Sequence, residues 1–482
     1  MTRLVRRPAA LPPMLLAALP AALFGLLGGC ATAPAPIVAP TLGIGPADAY
    51  MAAPADAPRP GPEDLRWWRR FDDPMLARWV ERALANNPRI PIARERVAQA
   101  RALLDRARAQ RSPLLQAQLR AALGSRSGGS RGGDPRASLA LGWDADLWGG
   151  LRQAERSAAA GLLRSAHLEQ ANRLAVAGLA ARAVVEWREA LADSATLADA
   201  LTLQRDVLAV ARIRVEAGLS PRLDVERALA EVATVEAEAA RAGIRSRQAL
   251  SALQVLAGER PQAVPNPATG AATPGAPGDA IAGAAVPTLH GDLPVNRPAD
   301  LLRLRPDLRA AEEDLVAAAA DIGVARAALL PRLGLQGTIG LASGSGVFDL
   351  VTGSIAALLD ATLFDGRERR ANIEAAESRA REANQVYRQT LLQALEQVEA
   401  GLVAAQGTER EIAALEGGVA ASHAAVDQAR SLYSAGLSGL LDVLDARRTT
   451  LAQHRQLLRA RGDAARQAVA VFEAMGLIEQ AD

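Results

Sequence analysis

The feature that most constrains this 482-residue chain is an internal duplication at a nearly constant spacing. The tetrapeptide AGLS stands at residues 217–220 and returns at 435–438, 218 residues later. Other matching positions keep this spacing within two residues and follow the same order. They are Pro88 and Pro306, Pro113 and Pro331, Leu147 and Leu363, and Asp224 and Asp442. Several blocks in one order indicate two copies of one structural unit, which a single short match would not.

Each copy begins with a predicted helix and continues into two predicted strands. The first helix starts at Pro88 or Pro306, because the fixed φ of proline suits a first helical turn, and it ends before Pro113 or Pro331. Apolar and polar residues then alternate in segments of about 10 residues, the length of a tilted membrane strand. The predicted strands are 113–123, 136–148, 331–342 and 351–364. A half-buried sheet of a soluble protein remains the alternative for this alternation.

Long helices without proline follow the strands in both copies. Residues 151–217 and 367–435 predict two rods, and residues 222–257 predict the shorter return helix of the first copy. At 1.5 Å per residue each long rod spans about 100 Å. The AGLS tetrapeptides lie at the predicted tips, 217–221 and 435–439, where glycine permits a positive φ.

The N-terminus predicts export. Arginines precede the apolar run MLLAALPAALFGLLGG, which ends at Cys30, the only cysteine of the chain. A basic head and a short apolar segment are typical of a secretory signal, here residues 1–29. LGGC also resembles a lipobox, so we expect a lipid on Cys30 and outer-membrane localisation. Residues 30–64 predict a flexible tether, because they are rich in alanine, proline and glycine.

The remaining boundaries follow from the repeats. The first copy occupies residues 65–257 and the second 298–476, with a short tail at 477–482. Residues 258–297 are rich in proline, alanine and glycine and predict an exposed linker belt. Trp67, Trp68 and Phe71 are expected to fasten the tether to the helices, and Trp143, Trp148, Phe348 and Phe364 to lie at a membrane interface.

Composition and pattern favour a conduit over catalysis. The net charge is +2 with interspersed signs and aromatics are only 3%, which disfavours nucleic-acid binding. The four histidines lack metal-ligand spacing, and no phosphate-binding loop is present. We therefore expect no enzyme activity and no cofactor. Four membrane strands cannot close into a barrel, because open edges in lipid are costly, so we expect several chains to combine.

The sequence also resembles a known family, the TolC-like outer-membrane factors, and within it the NodT-type lipoproteins of efflux systems. The resemblance is carried by WWRRFDDPMLARWVERALANNPRI from Trp67, DADLWGGLR from Asp144, RPADLLRLRPDLRAAE from Arg297, LFDGRERR from Leu363, and both AGLS tips. It implies a mainly α protein with membrane β-structure. Three chains, with four strands each, would form a 12-stranded β-barrel continued by a periplasmic α-helical barrel.

The same resemblance implies partners and site residues. The partners would be two further copies in a homotrimer, a periplasmic adaptor, an inner-membrane pump of the resistance-nodulation-division type, and outer-membrane lipid. The tips that contact the adaptor would be Gly218, Leu219, Ser220, Gly436, Leu437 and Ser438. Asp442 and Asp445 would narrow the tunnel entrance, and Asp224 and Tyr433 are further candidates for a periplasmic gate. The second tip lacks the basic residue that locks the entrance in some relatives, so this lock is either absent here or supplied by Arg222 or Arg447.

Several alternatives stay open from the residues themselves. Acids near a helix start also favour the helix dipole, which would explain Asp224, Asp442 and Asp445 without a gate. Tyr433 could pack in a helix seam. By the resemblance described above, Gly150 stands where relatives often have arginine, which predicts a looser first strand–helix junction. The alternative functions are a channel for type I protein secretion and a lipid-anchored coiled-coil protein confined to the periplasm.

Overall fold

The computed structural model describes residues 49–54, 56–125, 131–261, 285–342 and 350–479. The predicted signal segment, Cys30 and Phe348 lie outside these ranges. Residues 42–482 form one compact unit, and the other unit, Met1–Thr41, lies outside the described part of the chain. None of the helices in the described ranges is long and apolar enough to cross a membrane.

The described elements repeat in the order that the duplication predicts. The first copy contains a 3₁₀ helix (Pro62–Arg70), α1 (Pro74–Asn86), α2 (Arg89–Ala109), β1 (Leu114–Ser125), β2 (Arg131–Ala145), α3 (Gly150–Glu216) and α4 (Arg222–Leu256). The second contains a 3₁₀ turn (Pro298–Asp300), α5 (Leu301–Leu304), α6 (Pro306–Ala327), β3 (Arg332–Ala342), β4 (Leu350–Asp360), α7 (Glu368–Ser434) and α8 (Leu440–Ala474).

The long helices agree with the predicted rods. α3 and α7 each have 67 residues, and their return helices α4 and α8 each have 35. The 67 residues correspond to about 100 Å of helix. α2, with 21 residues, and α6, with 22, precede the strands. The equal lengths confirm the internal repeats.

The four strands form one antiparallel sheet in the order β1-β2-β3-β4. β2 begins earlier than predicted, because Gly132 and Gly133 continue the hairpin opposite Gly124 and Leu123. β2 and β4 end at Ala145 and Asp360, before the predicted 148 and 364. The chain turns away there because Asp146 and Asp365 accept hydrogen bonds from the first backbone N–H groups of the following helices.

Two glycines allow helices to come into close contact because glycine has no side chain. A Cβ on Gly178 of α3 would lie 1.8 Å from a carboxylate oxygen of Glu473, and one on Gly401 of α7 would lie 2.7 Å from Val471. Both neighbours belong to α8, which therefore packs directly on the backbones of the two long helices. This approach joins the first copy to the second.

The core lies where both copies meet the N-terminal segment. Trp67 is fully buried and stacks on Phe472, with ring centroids 5.5 Å apart, which confirms that the aromatic cluster fastens this segment to the helices. Arg188 of α3 donates to both carboxylate oxygens of Asp73, at 2.7 and 3.0 Å, and both side chains are buried. Asp73 also accepts from the Met75 N–H at the start of α1.

The described end of the predicted tether contacts α7 and the core. The backbone N–H groups of Met51 and Ala52 donate to Glu399 of α7 at 3.1 and 2.8 Å, and Tyr50 is buried. One carboxylate on α7 therefore binds two successive backbone donors of this segment, and a flexible tether stays a prediction for the rest of residues 30–64. Val286 and Val295 show that the described end of the linker is also partly buried.

The motif RPDL has a packing role. Arg305, just before α6, is buried and donates to the backbone oxygen of Ala474 at 3.0 Å and to Oε1 of Gln397 at 2.8 Å. Its Nη2 also binds Asp307 at 2.5 Å. Arg305 therefore satisfies an orphan carbonyl at the C-terminal end of α8 and joins α6, α7 and α8.

Candidate functional site

One face of the sheet is apolar across all four strands. The register places Leu115 beside Leu141, Trp143 beside Leu335, and Leu341 beside Val351. Their neighbours on this face are Ala117, Leu119, Ala137, Leu139, Ile339, Ile355 and Leu359. Most of the large side chains among them are exposed, and Ile355 reaches 91%. A set of exposed apolar side chains this large indicates a surface that meets lipid or a partner.

The opposite face is mainly polar, with Leu114 and Leu358 as exceptions at its helix end. It carries Gln116, Gln118, Ser138, Gln336, Thr338, Thr352 and Ser354 at the alternate positions. The hydroxyls of Thr338 and Ser354 lie 2.7 Å apart across β3 and β4. Alternation of a lipid-facing and a water-facing side is the pattern of strands in a membrane barrel.

No second layer covers either face of the sheet in the part of the chain that the structure describes. Within the described ranges the strands pack on one another, and none of the helices packs across the sheet. The outer strands β1 and β4 each have one neighbour, which leaves two free edges in a single chain. A sheet of a soluble protein would bury its apolar face, so this arrangement favours the membrane interpretation over the soluble alternative.

Matched turns form the two predicted tips. The Leu219 N–H donates to the Arg214 oxygen at 2.8 Å and the Leu437 N–H to the Leu432 oxygen at 2.9 Å. Gly218 and Gly436 have φ of +72° and +77° and bond to carbonyls three residues earlier, at 3.0 Å. Both helices therefore end in the glycine-dependent Schellman arrangement, and both tips expose a leucine.

Arg214 joins the two tips, and the sequence alone did not reveal it. Its guanidinium lies 4.7 Å from the ring centroid of Tyr433 and donates to the backbone oxygen of Tyr433 at 3.1 Å. Its Nε also donates to the Ser220 hydroxyl at 3.4 Å. Tyr433 is buried in a cluster with Leu440 and Val443, so its structural role is packing in the seam between the hairpins.

The acidic residues near the tips lie in separate local settings. Asp442 is exposed and accepts a hydrogen bond from the Gly439 N–H at 3.2 Å, which caps α8. Asp445 is exposed one turn later, and Asp224 is half-buried in the first turn of α4. A single chain does not bring these carboxylates into one cluster, so a gate remains a prediction about several chains. No group of three or more metal-ligating side chains occurs among the residues that the structure describes.

Arg447 is a partly buried basic residue near the second tip. It is half-buried, and its Nε has no hydrogen-bond partner in the described part of the chain. Burial, followed by the nearby charge of Arg430, lowers the pKa of Arg447. By contrast, Arg222 is exposed and lies 3.8 Å from Glu226.

The first strand–helix junction is tight, against our expectation. Asp146 accepts from the N–H groups of Leu151 and Arg152 at 2.9 Å each. A Cβ on Gly150 would lie 2.9 Å from the Cβ of Ala327, so glycine allows α3 to approach α6. The expectation of a looser junction was wrong because the carboxylate, not residue 150, fixes the first turn.

The two copies also coincide with the segments matched by a protein family. The outer membrane efflux protein family matches residues 79–259 and 298–477. This chain belongs to that family. One matched segment lies in each copy, so the internal duplication of this chain is the one that the family model describes.

Known relatives and solved structures match this chain over most of its length. The pyoverdine export outer membrane protein OpmQ of Pseudomonas putida is 30% identical over 461 residues, covering 92% of this chain and 94% of the relative. The outer-membrane channel OprN covers 90% of this chain and 98% of its own, with 27% identity and a TM-score of 0.76. The open MtrE channel of Neisseria gonorrhoeae gives 25% identity and a TM-score of 0.77, covering 90% and 96%.

These matches confirm the fold class of this efflux protein. It is mainly helical, with four antiparallel membrane strands and two internal repeats, as in outer-membrane channels with a helical barrel. Its place is the outer membrane.

Proposed function

We propose that this efflux protein is the outer-membrane channel of a tripartite efflux system that passes drugs or other small molecules to the exterior. The observation that carries this proposal is the sheet with an exposed apolar face, a polar face and two free edges. Such a sheet becomes stable in lipid only when its edges pair, and the enclosed polar face then lines a water-filled passage.

The homotrimer is proposed from the number of strands in each chain and from the family fold. One chain contributes four strands, and about eight are the practical minimum for a barrel. Three chains give a 12-stranded barrel in which β1 of one chain pairs with β4 of the next. The helices below would close in the same way, because α7 and α2 have apolar residues, including Val403 and Leu103, exposed in one chain.

The tips are proposed to bind a periplasmic adaptor. Leu219 and Leu437 are 69% and 76% exposed although both are apolar, and Arg214 holds the two tips side by side. The six tip residues Gly218, Leu219, Ser220, Gly436, Leu437 and Ser438 would form the contact. The adaptor would connect the channel to an inner-membrane pump of the resistance-nodulation-division type, which selects the cargo.

Lipidation at Cys30 is proposed from the sequence around it. LGGC follows a short apolar segment and a basic head, and the cysteine would anchor the mature N-terminus to the outer membrane. Mass determination of the purified protein tests this anchor. The expected result is a diacylglyceryl-modified Cys30 and no residue before it, and an unmodified mature N-terminus elsewhere would refute it.

A gate at the periplasmic end is proposed from Asp442, Asp445, Asp224 and Tyr433. In a trimer, Asp445 and Asp442 would form rings of three carboxylates, which attract cations. Single-channel recording of the Asp442→Asn/Asp445→Asn variant tests the rings. We expect weaker block by divalent cations and an altered conductance, and unchanged block and conductance would end this part of the proposal.

The channel and docking functions need separate measurements. Purified protein in planar bilayers is expected to conduct ions, and a strain lacking this chain is expected to lose efflux of a fluorescent substrate. The Leu219→Asp/Leu437→Asp variant should conduct normally in bilayers and fail to restore efflux, whereas Leu219→Met/Leu437→Met should restore it. Absence of any conductance from folded protein would refute the channel, and full efflux by the aspartate variant would refute docking at the tips.

A further inference from the structure

The end of the second β-hairpin departs from the internal repeat. In the first copy β2 ends at Ala145, and four residues separate it from α3, which begins at Gly150. In the second copy β4 ends at Asp360, and seven residues separate it from α7, which begins at Glu368. The single chain therefore leaves three more residues, 361–363, between strand and helix in the second copy than in the first.

The two hairpins themselves have the same register. In the first copy Leu115 pairs with Leu141. In the second copy Leu333 pairs with Leu359, and both residues stand 218 positions further along the chain. A strand residue of the first copy and the residue 218 positions later therefore have equivalent places in the sheet.

The starts of the long helices keep the same spacing. α3 begins directly after Gly149, which has a φ of +73°, and α7 begins directly after Arg367, which has a φ of +78°. Arg367 is the only non-glycine residue with a positive φ in the part of the chain that the structure describes. Since the strand pairs and the helix starts both keep the spacing of 218, the counterpart of Ala145 at the end of β2 is Leu363.

β2 continues further than β4 because it has a neighbour on each side. Its pairing with β1 ends at Gly142, but it extends to Ala145 because its last residues pair with β3. β4 has only β3 as a neighbour within the described ranges, and it ends at Asp360, the counterpart of Gly142. Leu363 and Phe364, which follow, are 97% and 89% exposed. The missing neighbour accounts for the early end of β4.

We propose that residues 361–363 join β4 when β1 of the next chain pairs with it, in the register that β2 has with β3. The repeat spacing then places Asp360 beside Gln118 of the next chain. Leu363 likewise lies beside Leu115 of that chain. This pairing rests on the trimer of the proposed function, to which it adds the register of each interface and a segment that becomes a strand only on assembly.

The two faces of the sheet agree with this register. Asp360 and Gln118 both lie on the mainly polar face, and Leu115 lies on the apolar face, which Leu363 extends. A slip of one residue would bring apolar side chains opposite polar ones along the whole interface. Leu115 is 66% exposed in the single chain, so the pair with Leu363 covers two apolar side chains that otherwise have no neighbour across the edge.

Disulfide formation between introduced cysteines tests the register in the full-length protein. Gln118→Cys/Asp360→Cys is oxidised with copper–phenanthroline in lipid vesicles and separated on denaturing gels without reductant. β1 and β4 are the opposite edges of one sheet, roughly 14 Å apart, so a disulfide between them joins different chains. We expect bands at two and three chain masses, which the single-cysteine variants lack. Leu115→Cys/Leu363→Cys should give the same bands and tests the added strand residues.

Control pairs distinguish this register from its neighbours. Gln118→Cys with Leu358→Cys or with Thr362→Cys shifts one cysteine by two residues on the same face. Such diagonal positions are about 7–8 Å apart, beyond the reach of a disulfide, so we expect no multiple-chain bands. Gly142→Cys/Gln336→Cys is the equivalent pair between β2 and β3 and should form its disulfide within one chain.

Three outcomes would overturn this register. They are stronger multiple-chain bands from position 358 or 362 than from position 360, no such bands from Leu115→Cys/Leu363→Cys, and no such bands from any pair. Conductance of the same preparations in planar bilayers separates this inference from the proposed function. Conducting protein with any of these outcomes refutes only the register and the strand extension, whereas folded protein with neither bands nor conductance refutes the channel as well.

Discussion

Replacing Ile355 by arginine tests directly whether the apolar face meets lipid. Ile355 lies midway along β4, opposite Gly337 of β3, and is 91% exposed in the single chain. Ala356 is the next residue, opposite Gln336 on the polar face, and is also exposed. The two substitutions therefore add the same charge to adjacent positions on opposite sides of one strand.

The expected magnitudes differ because the surroundings differ. An arginine at the midplane of the lipid face of a barrel costs about 2–4 kcal/mol per chain, which becomes about 6–12 kcal/mol for three chains. At an exposed position in water the same change alters stability by roughly 0.5 kcal/mol or less. Ala356→Arg should have this small effect, because its side chain extends into the water-filled passage.

The assay is folding into lipid vesicles. The free energy of unfolding is measured by guanidinium titration, and a heat-modifiable trimer is followed on gels. Ile355→Arg should lower the free energy of unfolding and reduce the yield of trimer, and Ala356→Arg should change neither appreciably. Equal stability and equal trimer yield for the two variants would refute the lipid-facing assignment of this face.

Three further predictions concern the helices. Arg188→Met leaves the buried Asp73 carboxylate without its guanidinium partner and should lower the free energy of unfolding by about 3–5 kcal/mol. Asp73→Asn/Arg188→Met should recover part of that loss, and equal losses in denaturant titration would contradict this account. Burial, with the charge of Arg309 second, lowers the pKa of His167, so the unfolded chain binds more protons below about pH 6.5 and stability should fall on acidification. Titration of His167→Gln should show a shallower fall, and an identical slope would contradict it. Gly436→Ala should cost about 1–2 kcal/mol because its φ is +77°, while Gly407→Ala, in the interior of α7 with open space around it, should stabilise by about 1 kcal/mol; thermal unfolding that fails to separate the two would count against the turn geometry.

The sequence predicted the elements whose signal is local and repeated. Pro88 and Pro306 indicate helix starts, alternation indicates strands, and Gly218 and Gly436 indicate the tips, because each depends on backbone preferences of a few residues. Each of these sequence patterns occurs in both copies, so an ambiguous strand in one copy was supported by its counterpart in the other. The contacts of the tether end with Glu399 and of Arg305 with the end of α8 were harder to predict, since they join distant residues.

Specific distant pairs explain what the sequence could not show. Arg214 and Tyr433 are 219 residues apart, and Asp73 and Arg188 are 115 apart, so no local pattern predicts that they meet. Glu399 binds the backbone of Met51 across 348 residues, a contact that a stretch of small residues resembling a tether does not predict. The signal for Arg214 was weak because arginine is abundant on every helix.

The order β1-β2-β3-β4 leaves each chain with two unlike edges, and this has a genetic consequence in the trimer proposed above. Every interface joins one kind of edge to the other, so a chain damaged only at β1 still offers β4 and enters assemblies with intact neighbours. With equal synthesis of both forms and random mixing, about one assembly in eight would contain no damaged chain. A β1 defect is therefore expected to behave as a dominant-negative allele rather than a recessive one.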